Sequence, residues 1–115
     1  MRFLIDGKVK KVIDGDTIDV EIRRTIRVRL LDCWAPETRT RDKEEKERGL
    51  KSKEFMQHLA NGQDVEVDIP IEGDERFGEA MSFGRVLARV KTKSDGRDLS
   101  RVMVAGGFAT KTRDG

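Results

Sequence analysis

Tyrosine is absent from these 115 residues, tryptophan and histidine occur once each, and Cys33 is the single cysteine. A lone cysteine excludes an internal disulfide, and together with one histidine it leaves too few soft ligands for a structural zinc site. Any metal held here must be a hard cation on oxygen donors. No run approaches the roughly 20 apolar residues of a membrane-spanning helix, and residues 1–6 contain no long apolar stretch. The chain as given is therefore expected to be soluble, either cytoplasmic or secreted after removal of a signal peptide, with no membrane partner. Neither sign of charge dominates. The 24 Lys and Arg stand against 22 Asp and Glu, and the net +2 is too small to mark a nucleic-acid binder by itself. Few aromatics beside 40% charged residues would ordinarily favour disorder, but the apolar residues fall in periodic runs and a chain of this length supports one modest core. A single folded domain over residues 1–115 is expected.

What the chain does contain is concentrated around Val12-Ile13-Asp14-Gly15-Asp16-Thr17-Ile18. Asp and Gly occupy a tight turn while Val, Ile and Thr flank it, so the stretch reads as a hairpin with carboxylates at its tip. Asp14 is expected to hold the turn by bonding its own backbone. A second acid, Asp16, adds repulsion without helping the turn unless a cation offsets it. Strands are predicted over 8–13, 17–23 and 25–31; in the third, Ile26, Val28 and Leu30 form one face and Arg27 and Arg29 the other. That strand runs into Asp32-Cys33-Trp34-Ala35-Pro36-Glu37, a rigid corner ending in another carboxylate. Cys33 is expected to be a small buried filler.

The mixed-charge run from Thr38 to Arg48 reads as a solvated loop or frayed helical turn, or as a mobile lid over the site. Asp42 followed by Glu45 resembles a capping box that would start a helix early, although Gly49 inside it would cost about 1 kcal/mol. The firmer helix begins near Ser52, where Ser52, Phe55, Met56 and Leu59 share one face, and it ends at Asn61-Gly62. His58 lies off that face and should be exposed. A fourth strand alternates through Val65, Val67 and Ile69. An exposed loop follows over 72–79, then a fifth strand from Phe83 to Val90. A second helix follows Asp98 and stops at Gly106-Gly107. The order βββαββα is that of a five-stranded OB-type barrel with helices, an all-β barrel in an α+β setting.

Asp14-Gly15-Asp16-Thr17, Arg29-Leu30-Leu31 leading to Ala35-Pro36-Glu37, Phe83-Gly84-Arg85 and Gly107-Phe108-Ala109 resemble, in order and spacing, the staphylococcal nuclease (thermonuclease) family. The resemblance implies a calcium-dependent phosphodiesterase on an OB barrel that cuts DNA and RNA with little sequence preference and leaves 3′-phosphate ends. It implies Asp16 as a metal ligand, Glu37 as the residue that orients or deprotonates the attacking water, and Arg29 and Arg85 as grips on the scissile phosphate. Those roles suit the chemistry. Carboxylate oxygens hold hard cations, the cation polarises a phosphoryl oxygen, and guanidinium forks match phosphate.

Two departures accompany the resemblance. The family's second metal-ligating aspartate falls on Trp34, and indole cannot ligate calcium. Asp32 is the candidate replacement ligand, but it lies two residues upstream, about 6 to 7 Å along an extended strand. The family's stacking tyrosine falls on Phe83, which can stack on a base but cannot donate a hydrogen bond. Trp34 is either a packing lid or a second base-stacking platform. After Ala109 the family's last helix is expected to be missing or trimmed. The implied partner is nucleic acid, DNA or RNA, cleaved by a monomer. The alternative is a catalytically impaired domain on the same fold that binds nucleic acid or a protein.

Overall fold

The computed structural model describes residues 2–22, 25–70 and 85–113. Five strands, β1 (Arg2–Asp14), β2 (Thr17–Glu21), β3 (Thr25–Leu30), β4 (Asp64–Pro70) and β5 (Arg85–Thr92), close into a barrel in the order β1-β2-β3-β5-β4. All pairings are antiparallel except β3 with β5. Helix α1 (Lys43–Ala60) connects β3 to β4, and α2 (Leu99–Ala105) follows β5. This is the expected OB-type barrel. Among the described residues no helix is long and apolar enough to cross a membrane.

Period-two alternation closes the barrel. Ile18 and Val20, Val28 and Leu30, Val65 and Val67, and Ala88 and Val90 are fully buried, and Met56, Ala60, Leu99 and Met103 seal the core from the helices. β1 begins earlier than the sequence pattern suggests, because its N-terminal half alternates weakly and gains its strand partner from β4. Residues 2–8 pair with β4 and residues 8–14 with β2. One long bent strand thus serves two neighbours. Its register shifts between Val12 and Asp14, and such an irregularity bends the strand just before the acidic tip.

The mixed-charge run is non-helical over 38–42 and helical from Lys43 onward. Asp42 caps α1, its Oδ1 accepting from the Glu44 and Glu45 backbone N–H groups at 3.0 and 3.2 Å. Glu44 and Glu45 lie in the first turn, where they complement the helix dipole. The Glu44/Arg48 and Glu47/Lys51 spacings add i,i+4 support. The buried face is Gly49, Ser52, Met56 and Ala60; Phe55 and Leu59 pack partly buried beside it, and His58 is exposed. β5 is described from Arg85 onward; the expected strand start at Phe83 and the expected loop at 72–79 lie outside the described residues.

Candidate active site

The β1–β2 tip is held on three sides. Asp14 pairs with Thr17 across the turn, and the Asp16 carbonyl accepts from the Leu30 N–H at 2.9 Å, tying the tip to the end of β3. The Asp14 carboxylate accepts the Thr38 hydroxyl at 2.5 Å, so it braces the segment after the corner rather than closing a local turn. Gly15 packs against α1: a Cβ there would lie 2.6 Å from the Ser52 Cβ and 2.9 Å from the Ala35 Cβ. Only glycine lets tip, corner and helix meet so closely.

Asp16 is buried at this junction, with 9% of its surface exposed. Its Oδ1 accepts from the Thr17 hydroxyl and its Oδ2 from the Ala35 N–H, each at 2.9 Å. Arg29 sits opposite Thr17 in the β2–β3 register, on the face turned away from the barrel core, yet it too is 9% exposed. Its Nη2 stands 3.7 Å from Asp16 Oδ2 and makes no hydrogen bond, while Nη1 donates to the Leu30 carbonyl at 2.6 Å. The Trp34 ring lies over the guanidinium, 4.0 Å from ring centroid to Cζ, a cation–π contact. Buried N–H groups are normally satisfied, so Nη2 is left with an unused donor beside the Asp16 carboxylate.

The corner is fixed from outside. Trp34 and Thr110 exchange backbone hydrogen bonds at 2.7 and 2.9 Å, anchoring the corner to the C-terminal segment. On the other side Gly49 of α1 packs so tightly that a Cβ would lie 2.4 Å from the Glu37 carbonyl oxygen and 2.9 Å from that of Pro36. This explains a glycine inside a long helix. The Glu37 side chain is exposed beyond the corner. Cys33 is fully buried, and desolvation, then the nearby Asp16 charge, pushes its thiol up to about 12. It is the expected inert filler.

The tip, Arg29, Trp34 and the Glu37 corner are thus assembled in one region. Asp32 is not brought beside Asp16. It adopts φ +53° and its carboxylate pairs with Arg89 of β5, which also holds Asp98 Oδ2 at 3.2 Å at the cap of α2. The left-handed residue turns the chain at the end of β3, so simple strand alternation does not extend to Asp32. Arg85 opens β5 opposite Arg27 and is described by its backbone alone; Phe83 lies outside the described residues. Among the described residues no three His, Cys, Asp or Glu side chains converge as a metal-holding group. Sequence reasoning missed Arg89, whose signal is its outward register on β5. It also missed the positioning role of Gly49, for which a glycine in a charged helical run was the signal.

The model for staphylococcal nuclease homologues matches residues 27–114. An uncharacterized endonuclease of Escherichia coli is 32% identical over 106 residues, covering 91% of this chain and 60% of that protein. Protein ParB of Escherichia coli is 43% identical over 107 residues, 90% of this chain and 55% of the relative. A micrococcal nuclease of Shigella flexneri is 61% identical over 33 residues, 28% of this chain and 19% of its own length. The chain thus spans little more than half the length of the first two. With the acidic tip, the arginine strand and the Pro-Glu corner assembled on a closed barrel, the chain belongs to the family of staphylococcal nuclease homologues.

Proposed function

We propose that this barrel, acting as a monomer, hydrolyses phosphodiester bonds in DNA or RNA with low sequence preference and with the help of a divalent cation. The observation that carries the reading is Arg29, a nearly buried guanidinium set against the Asp16 carboxylate with Nη2 unbonded. An unmade buried hydrogen bond costs about 1–3 kcal/mol. A phosphate oxygen is an acceptor that would remove that cost while neutralising charge. The names of two relatives, endonuclease and micrococcal nuclease, point the same way.

Family membership implies the cation, and Asp16 is the residue that would hold it. One carboxylate falls short of the about six to eight oxygens that calcium takes, and among the described residues no three His, Cys, Asp or Glu side chains converge to supply the rest. It fits an ion that keeps most of its water and takes one or two carboxylates with substrate oxygens, as magnesium does. Calcium is the ion the resemblance implies, so the two are to be compared directly. Once bound, the ion would polarise a phosphoryl oxygen and acidify a nearby water. Glu37, exposed at the corner, takes the proton of the attacking water. Arg29 and Arg85 bind the phosphate and stabilise the charge that grows on it. Trp34 covers one face of the Arg29 guanidinium, so a phosphate would meet Nη2 in the guanidinium plane.

The test is cleavage of single-stranded DNA, duplex DNA and RNA with calcium, with magnesium and with chelator, beside Arg29→Ala and Glu37→Gln. The expected result is metal-dependent cleavage that falls at least about 100-fold in each variant. The second reading, a barrel kept for recognition, draws on Trp34 lying across Arg29. A folded chain that binds nucleic acid yet cleaves none under any metal would establish it.

A further inference from the structure

Pro36-Glu37 is gripped on both sides by the acidic tip. On its N-terminal side the Ala35 N–H donates to Asp16 Oδ2 at 2.9 Å, and on its C-terminal side the Thr38 hydroxyl donates to Asp14 Oδ1 at 2.5 Å. The two carboxylates flank Gly15, and Asp14 is paired with Thr17 across the turn, so both anchors belong to one braced hairpin end. The grips differ in kind. Ala35 uses its backbone, which any residue except proline would supply. Thr38 uses its side chain, so that grip depends on a short residue carrying a donor.

Glu37 is exposed, so packing does not hold its carboxylate and the path of its backbone decides where it stands. Upstream, that path is tied at several points. Ser100 Oγ donates to the Leu31 carbonyl at 2.6 Å, and Trp34 exchanges backbone hydrogen bonds with Thr110. Downstream, residues 39–42 are non-helical, with Arg39, Arg41 and Asp42 exposed, and the next tie is the Thr40 hydroxyl donating to Glu45 of α1 at 3.2 Å. Gly49 presses on the Glu37 carbonyl from the helix side. That contact stops the corner from moving toward α1 but does not stop it from moving away. The Thr38 bond supplies the missing restraint. Its acceptor is a carboxylate and both partners are half-buried, conditions under which a hydrogen bond is stronger than one between neutral groups in water.

We infer that Thr38 is a positioning residue: with Asp14 as its anchor, it holds Glu37 at a fixed reach from the Asp16 carboxylate. Thr38 touches neither substrate nor ion and acts on the attacking water through Glu37 alone. Asp14 thereby serves the site by fixing the corner, its charge strengthening the grip. The catalytic consequence rests on the nuclease reading, but the grip itself is measurable without cleavage.

Thr38→Val removes the hydroxyl with little change of shape, whereas Thr38→Ser keeps it. In the full chain, under the metal that supports cleavage, Thr38→Val should lower kcat about 10- to 100-fold with KM changed little, and Thr38→Ser should restore most of that loss. Because the effect passes through Glu37, it should vanish where Glu37 is already changed: Glu37→Gln/Thr38→Val should cleave no more slowly than Glu37→Gln. The grip is measured separately by urea unfolding of Thr38→Val, Asp14→Ala and their double variant. There the two changes should be coupled by at least about tenfold in the folding equilibrium. Losses that multiply in the Glu37→Gln background, a Thr38→Ser chain as slow as Thr38→Val, or independent effects of Thr38 and Asp14 in urea would each overturn this inference and leave the nuclease reading in place. Coupling in urea beside a wild-type chain that cleaves nothing under any metal would remove the nuclease reading, and the positioning role with it.

Discussion

Gly49→Ala is the most informative single substitution, because helix propensity and tertiary contact predict opposite signs. On propensity alone alanine should stabilise an 18-residue helix by about 1 kcal/mol. In the folded chain, however, the new methyl would lie 2.4 Å from the Glu37 carbonyl oxygen, 2.7 Å from the Glu37 carbonyl carbon and 2.9 Å from the Pro36 carbonyl oxygen. All three are backbone atoms of a corner braced by Thr38 on Asp14 and by Trp34 on Thr110, so no flexible side chain can absorb the overlap. Restoring ordinary carbon–oxygen contact requires helix and corner to part by about 1 Å. Overpacking of this kind costs about 1–3 kcal/mol, leaving a net loss of about 0–2 kcal/mol. The same displacement falls on the residue proposed to activate water, and a misplacement of about 1 Å can cost about 100-fold in rate. Urea unfolding and steady-state kinetics on one preparation separate the two effects. The expected pattern is a small or moderate loss of stability, KM changed little and kcat lower by one to two orders of magnitude. A variant about 1 kcal/mol more stable with kcat intact would show that the helix does not set the corner.

The remaining predictions concern charge. Asp16→Ala strands Arg29 where the paired side chains are only 12% and 11% exposed, and should destabilise by about 3 kcal/mol in urea; a loss under about 1 kcal/mol would mean the guanidinium escapes to water. Asp32→Asn removes a half-exposed pair with Arg89, and asparagine tolerates φ +53°, so stability should change by less than about 1 kcal/mol. Its cleavage should keep the wild-type response to metal; a weakened response would return Asp32 to the metal site. For Cys33 the folded thiol is raised from 9.0 to about 12, so the folded chain holds the proton longer than the unfolded chain does. Its contribution is complete below pH 9 and lost as pH rises toward 12, at up to about 1.4 kcal/mol per pH unit. Cys33→Ala should remove that part of the alkaline slope, and parallel slopes in both proteins would contradict the burial of the thiol.

Local chemistry determined much of this protein from the sequence alone. Alternating Ile, Val and Leu fixed which strand faces enter the barrel, Asp98 and Gly106-Gly107 bounded α2, and Asn61-Gly62 ended α1, because these signals act over a few residues. The order βββαββα and the spacing of the tip, Arg29 and the Pro36-Glu37 corner were enough to indicate the family. The tertiary structure decided what depends on distant partners. β1 extends to Arg2 because β4 pairs with it. Asp14 bonds Thr38 because the corner folds back on the tip, and Asp32 pairs with Arg89 because β5 lies beside β3 at a left-handed residue. The burial of Arg29 beneath Trp34 is likewise tertiary, since alternation places that arginine on the outer face and only the folded corner covers it. Sequence specifies the donors and acceptors along each strand. Which of them are left with an unused hydrogen bond is decided by how closely the segments pack.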